Sequence, residues 1–210
     1  MNWKDIEYTK PLNLYVGDIT VGTPQYDTHI GLSINLNDNK HIPHNILNRI
    51  ELKDNSVDLI QAEDVFEHIE FEKLPEVINE IFRVLKPKGI FRLSIPDYRC
   101  SFLKNRTIKD SNGNLEFDPG GGGQFKNGKV IDGGHVWFPL YEDVKDMSEK
   151  TKFNTNGKID FLHYYDTKGE SITNKIDYSI GHISRTPDFD KRVKDPYIAM
   201  SIVVDFHKNN

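Results

Sequence analysis

The sequence predicts an α/β fold: a mostly parallel sheet with helices packed against it, ending in an antiparallel C-terminal hairpin. Three observations carry this. Val57 to Ala62 is a short, mostly apolar run, as expected of a strand covered on both faces. From Glu72 to Lys86 apolar residues recur at Leu74, Val77, Ile78, Ile81, Phe82 and Leu85, the stripe of an amphipathic helix. Pro87 and Gly89 stop that helix, and Ile90 to Ile95 follows as a strand closed by Pro96-Asp97. Strand, helix, tight turn and strand make a βαβ unit, which should be right-handed with parallel strands.

The other elements follow in order. Leu12 to Asp18 is an apolar run ending at Gly17 and reads as the first strand; Ile30 to Leu36 reads as the second. A third is expected around His44 to Leu47, after Pro43. The connection from Ile19 to His29 is about as short as a helical crossover can be. Cys100 to Phe138 is rich in loop residues, including Gly120 to Gly123 and Asp132-Gly133-Gly134-His135, and reads as a substrate lid. Tyr141 to Lys152 is helical through Val144, Met147 and Thr151. Ile159 to Tyr165 alternates like a half-buried strand, residues 178–197 are irregular, and Met200 to Phe206 is the last strand. Those two strands, joined by a long excursion, predict an antiparallel pair at the sheet edge. The chain reads as one domain, 1–210, with 99–138 and 166–198 as substrate-side loops or insertions.

Composition narrows the function. With 37% hydrophobic and 28% charged residues, the 210-residue chain is globular. A balance of 27 basic against 32 acidic residues gives −5, which weighs against a nucleic-acid partner. No apolar run is long enough to span a bilayer, and the opening MNWKDIEYTKPLNLYVGD has no signal-peptide apolar region. Cys100 is the only cysteine, so an intrachain disulfide and a cysteine-rich zinc site are excluded. A reducing, cytoplasmic setting is expected. The sequence contains no H-E-x-x-H zinc helix, Walker loop or G-x-G-x-x-G, which argues against protease, nucleotide-hydrolase and ordinary dinucleotide readings.

One stretch is more particular. Asn55-Ser56-Val57-Asp58-Leu59-Ile60, then Glu63-Asp64-Val65-Phe66-Glu67-His68-Ile69, then Glu80 to Gly89 (EIFRVLKPKG) resembles the pattern of the class I S-adenosylmethionine-dependent methyltransferases. The resemblance covers about residues 12–98 and implies a Rossmann-like three-layer α/β sandwich with S-adenosylmethionine as cofactor. Phe117 to Gly123, Asp132 to Pro139 and Ser201 to Asp205 are similar to small methyltransferases of large algal viruses, some of which act on sugar hydroxyls of glycans. That likeness implies O-methyl transfer to a sugar or glycan in the host cytoplasm. Three readings stay open beside it: another small-molecule acceptor, a protein or nucleic-acid acceptor, and a non-catalytic binding domain on the same fold. The last is motivated by departures from the family. Tyr15 and Val16 stand where the first glycines of G-x-G-x-G would be, Ser33 stands for the acidic residue ending the second strand, and Asn45 for the one after the third.

Ligands of open α/β sheets bind at the carboxyl ends of the strands, where strand order reverses. By position, the cofactor contacts are Gly17, Asp18, Ser33, Asn45, Gln61, Ala62 and Glu63. On the substrate side stand Asp64, Tyr98, Arg99, Asp132 and Trp137, with Asp64 equally suited to capping the next helix. His135 is the expected general base, since a sugar hydroxyl needs somewhere to put its proton. Asp132 would orient its ring, and Trp137 with Phe138 would form an aromatic wall. Asp97 is the alternative base. His68 is expected to pack beneath the site, and Arg83 and Lys86 to form a solvated helix face. Asp97, Asp132 and His135 could approach one another around a divalent metal, but no ligand spacing demands one, so no metal ligand is assigned.

Overall fold

Alternation along the strands divides the molecule into an apolar half and a polar half. The computed structural model describes residues 1–20 and 22–210; Val21, within the 19–29 connection, lies outside the described residues. The elements are α1 (Trp3–Ile6), β1 (Asn13–Val16), β2 (His29–Ser33), β3 (His41–Pro43), β4 (Val57–Glu63), α2 (Leu74–Val84), β5 (Leu85–Pro96), α3 (Ser101–Arg106), β6 (Ile108–Lys109), β7 (Leu115–Phe117), β8 (Gln124–Lys126), β9 (Lys129–Ile131), α4 (Tyr141–Glu149), α5 (Lys152–Asn156), β10 (Gly157–Tyr165), β11 (Ser171–Thr173) and β12 (Ser201–Lys208). Eight strands form one sheet in the order β11-β10-β12-β5-β4-β1-β2-β3. Strands β1 to β5 pair in parallel, while β12 runs antiparallel to both β5 and β10.

The mostly parallel sheet with an antiparallel C-terminal end is as expected, and several boundaries differ. The third strand is His41–Pro43, not His44 to Leu47, and the second stops at Ser33, whose hydroxyl accepts from the Asn35 and Leu36 amides and turns the chain. Helix α2 ends at Val84, two residues earlier than the apolar stripe suggests: Leu85 is already extended and begins β5, ahead of Lys86, the residue that Pro87 restricts. Among the described residues, the 19–29 connection holds one 3-10 turn, Pro24–Tyr26, and no α-helix. Strand β12 lies between β5 and β10, and the edge belongs to β11. Arg83 is no solvated residue either: it bonds Glu80, Asp54 and the Ile50 and Leu52 carbonyls. Lys86 pairs with Asp58 at 2.6 Å. No helix of the described residues is long and apolar enough to cross a membrane.

One sheet face carries Leu14, Val16, Ile60, Ala62, Phe91, Leu93, Ile95, Ile202, Val204 and Phe206, packed in one cluster with Leu74, Ile78 and Ile81 of α2, Val144 of α4 and Phe153 of α5. The intervening residues (Tyr15, Gln61, Glu63, Arg92 and Asp205) face the other way and are also buried. Irregular chain rather than helices covers this polar face: Ile176 and Ile183 pack on Val203, and the Gly181 backbone lies against Gln61. Charges buried there need partners. The fully buried Arg92 grips Asp205 with two bonds of 2.7 Å and donates to the Asp177 and Gly181 carbonyls at 2.8 and 2.6 Å.

Removing one member of this pair leaves the other charge buried. Arg92→Met should therefore cost about 3–5 kcal/mol, while Arg92→Met with Asp205→Leu should recover most of the loss. Urea unfolding of both variants measures this; a double variant no more stable than the single one would contradict it.

Candidate active site

The carboxyl ends of β1, β2 and β4 meet at one edge, and both long excursions, after β5 and after β11, start from that same edge. Gly17 ends β1 with φ +119°, and a Cβ there would stand 3.1 Å from Val65 Cγ2, so both backbone and space call for glycine. Its amide donates to the Leu32 carbonyl at 2.9 Å. The loop that follows is held by His41, whose Nε2 accepts from the Ile19 amide at 2.8 Å while Nδ1 meets Asp38. Gly31 leaves room for that ring, since a Cβ there would overlap it.

Beyond Gly17 is a cavity of about 180 Å³ lined by Tyr15, Asp18, Ile19, Thr20, Tyr26, Glu63, Asp64, Ser184 and Arg185. Asp18, Glu63 and Asp64 thus come together as expected. Ser33 reaches the group through its hydroxyl, which donates to Asp18, so a carboxylate does stand at the end of β2, supplied from the end of β1. Tyr26 donates to Glu63, which also accepts from the Ser184 amide at 2.9 Å and Gln61 at 2.8 Å. Burial, the largest influence, holds the Glu63 carboxyl above its ordinary pKa.

Two expected contacts are corrected here. The Ala62 side chain points into the apolar core, leaving only its backbone at the edge. Asn45 is exposed and its Oδ1 caps the Leu47 amide at 3.0 Å, a turn-forming role. Tyr26, Ser184 and Arg185 were not anticipated. No pattern in the sequence marks them, because they arrive from separate loops.

A second group of side chains lies past Asp64. The turn Phe66–His68 follows β4, and the chain returns to it at Val136, whose amide donates to the Glu67 carbonyl at 2.9 Å. This return brings His135 beside Glu67 and His68: Nε2 is 3.5 Å from Glu67 Oε1, and the two imidazoles meet edge-on at 4.7 Å. His135 Nδ1 is 2.5 Å from the Tyr98 hydroxyl, which donates to Asp118 at 2.6 Å, so Nδ1 carries the proton. Burial alone would raise the Asp118 carboxyl, but bonds from Arg106, Tyr98 and the Gly120 amide hold it below its ordinary pKa. The glycine run closes around this chain. A Cβ at Gly121 would stand 2.6 Å from the His135 ring, and one at Gly120 2.5 Å from the Arg106 guanidinium.

Burial, then the neighbouring His68, pushes the His135 pKa down to about 4, so the imidazole is neutral at pH 7. Glu67 is fully buried, and its carboxyl is raised, first by burial and then by the charge of Asp64. Asp64 adopts φ 54°, a left-handed conformation uncommon outside glycine, and pairs with Arg185 at 3.1 Å.

Further expectations change. Asp132 is exposed in the turn after β9 and does not orient His135; Tyr98 does. Trp137 is no open wall: its Nε1 donates to the Phe66 carbonyl at 3.0 Å and its ring packs on Phe71. Phe138 packs on Tyr98. Asp97 is fully buried, with its oxygens accepting from the Arg99 and Tyr165 amides at 2.9 and 2.7 Å, so it braces the turn after β5 instead of facing a substrate. Burial, against those two bonds, pushes its pKa up to about 6. Arg99 is clamped to Glu142 of α4. The 100–138 segment, expected as a substrate lid, carries α3 and two hairpins, and Arg106 at the end of α3 bonds the buried Asp118 that follows β7.

Structures of similar shape include an S-adenosylmethionine-dependent methyltransferase of Thermotoga maritima (13% identity, 98% of this chain and 86% of that one, TM-score 0.50). A protein of Listeria monocytogenes described as such a methyltransferase aligns at 9% identity over 95% and 91% of the two chains, with TM-score 0.50. A protein of Pyrococcus horikoshii OT3 aligns at 15% over 98% and 86%, also at 0.50. The fold is that of the S-adenosylmethionine-dependent methyltransferases. Residues 32–93 match the family described as a methyltransferase domain, which implies S-adenosylmethionine as the cofactor. No curated protein matches the sequence.

The residues at the cleft suit that cofactor in kind: a glycine turn for close backbone approach, and carboxylates at Asp18, Glu63 and Asp64 for a ligand that is cationic at sulfur and amine.

The floor of the cleft also predicts an acid limb of stability. His29, packed against Tyr15 and Tyr26, has its pKa lowered to about 4 by burial and by Lys40, from 6.5. The unfolded chain therefore binds more protons between these values, and His29 withdraws stability as pH falls from 6.5 towards 4. The full effect is about 3 kcal/mol. His29→Gln should flatten that limb in denaturant titrations at pH 7, 5.5 and 4.5; an unchanged pH slope would contradict it.

Proposed function

We propose that this protein is an S-adenosylmethionine-dependent O-methyltransferase acting on a hydroxyl of a sugar or glycan. The observation that carries the reading is the buried, neutral His135, with its Nε2 3.5 Å from Glu67, three residues after the cavity-lining Asp64, and its other nitrogen tied to Tyr98. A neutral amine attacks a methyl donor without losing a proton first, whereas a hydroxyl must be relieved of its own. A built acceptor for that proton therefore favours oxygen.

Asp18 takes the ribose role left by the missing acid at Ser33. Glu63 and Asp64 face the cationic part of the cofactor, and Gly17 lets the backbone close on it. When bound, the cofactor supplies an activated methyl on its sulfonium. The protein's part is alignment and deprotonation: the S–CH3 bond breaks as the O–CH3 bond forms, and the hydroxyl proton leaves through the group that includes His135. The acidic net charge of −5 fits a small or glycan acceptor better than a phosphate backbone. The likeness to algal-virus sugar methyltransferases supports the acceptor class.

Calorimetry with S-adenosylmethionine should show binding that Gly17→Leu abolishes. No binding at millimolar cofactor would leave a non-catalytic domain on this fold. In a mass-spectrometric screen of sugars, nucleotide sugars and small phenols with labelled cofactor, a sugar should take the label, and phenol-only labelling would move the acceptor class. Folded His135→Ala should lose about 10²–10⁴-fold in kcat while keeping cofactor affinity. Nearly full activity in that variant would remove His135 from the mechanism.

A further inference from the structure

Glu67 has no account in the fold. Its side chain is fully buried, and neither carboxylate oxygen has a hydrogen-bond partner among the described residues. An isolated buried carboxylate is costly unless a proton or a cation neutralises it. Beside it, His68 Nδ1 is also buried and without a partner. His135 completes the group, and one donor atom from each of the three lies within 4.8 Å of the others.

We propose that Glu67, His68 and His135 bind one divalent transition-metal cation, held on its protein side by these three donors and open to the acceptor hydroxyl on the other. The separation of His135 Nε2 and Glu67 Oε1, 3.5 Å, is close to the roughly 3.4 Å that two ligands on bonds of about 2.1 Å keep around a tetrahedral ion. A metal-bound histidine usually donates its second ring N–H to a fixed partner. His135 has such a partner in Tyr98, itself locked by Asp118 and Arg106. Gly121 packs on the ring and sets its plane. Asp64 adds a second negative charge that acts on Glu67, and its Oδ1 is buried without a partner. Two imidazoles and a carboxylate favour Zn²⁺, Mn²⁺, Fe²⁺ or Co²⁺ over Mg²⁺ or Ca²⁺.

Three protein ligands leave a position open, the arrangement of catalytic rather than structural sites. A cation there would lower the pKa of a bound hydroxyl, so that its proton passes to solvent water before methyl transfer. With the ion bound, the His135 Nε2 lone pair is taken up by the metal, so the proton that the metal-free protein would pass to His135 goes to solvent water instead. The cation's role in the reaction rests on the O-methyltransferase reading, whereas its binding does not.

The test uses the untagged full chain, stripped with a chelator and titrated calorimetrically with Zn²⁺ and Mn²⁺. One cation per chain is expected, with affinity weakened at least about 100-fold in Glu67→Gln and in His68→Gln. Bound Co²⁺ should give visible bands that change in His68→Gln, whose half-exposed site keeps the fold testable even where Glu67→Gln fails to fold. No stoichiometric binding, or wild-type affinity and wild-type Co²⁺ bands in folded His68→Gln, would overturn the site. S-adenosylmethionine titrated into the same preparations separates the two ideas. Cofactor bound without cation sinks this site alone; cation bound without cofactor upholds it and sinks the methyltransferase reading.

Discussion

The buried pair Arg92–Asp205 is the constraint on which the polar half of the molecule depends. Arg92 on β5 faces Asp205 on β12 in register, with both side chains on the sheet face away from the helices. A guanidinium cannot shed its charge at any ordinary pH, so the fold must surround it with acceptors. It finds two in Asp205 and two in the backbone at Asp177 and Gly181. The last two draw the irregular 177–185 chain down over Gln61 and Glu63. That chain then delivers Ser184 and Arg185 to the cavity, where one caps Glu63 and the other pairs with Asp64. One ion pair thus sets the roof of the cavity beyond Gly17.

A similar logic governs the group around His135, with glycine in place of charge. His135 needs a neutral, fixed ring in a crowded place. Gly121 lets the backbone lie against that ring, and Gly123 and Gly134 allow two loop segments to touch. Tyr98, Asp118 and Arg106 then pass a fixed hydrogen-bond polarity to the ring, ending in a cation that cannot reverse it. The glycine run is therefore a packing device, and the 100–138 segment is anchored by the same residues that orient the imidazole.

The departures from the methyltransferase pattern are compensated by neighbours. Tyr15 replaces a loop glycine; its side chain lies on the polar face against Tyr26 and lines the cavity beside Gly17. Ser33 replaces an acid and holds one in place, that of Asp18. These exchanges put the cleft's chemistry on residues from different strands. The electrostatics of such a cleft are collective: Tyr26, Gln61 and the Ser184 amide share Glu63, and Arg185 balances Asp64.

The sequence by itself determined the fold class and the apolar core. The stripe of α2, the proline and glycine after it and the short strands obey local periodicities of 3.6 and 2 residues, which survive in any tertiary context. It also placed Gly17, Asp18, Glu63 and Asp64 at one edge, since position after a strand depends on chain order alone. Only the tertiary structure decided which polar side chains meet. Asp97 and Asp132 looked as available as His135, yet one is consumed by two amides and the other points to solvent. His68 was expected only to pack beneath the site and Glu67 carried no role of its own; the return of the chain at residue 135 brings both beside His135. Hydrogen-bond partners far apart in sequence are chosen by burial, where each polar group must find a partner or bear the cost of having none. No spacing in the sequence encodes that choice.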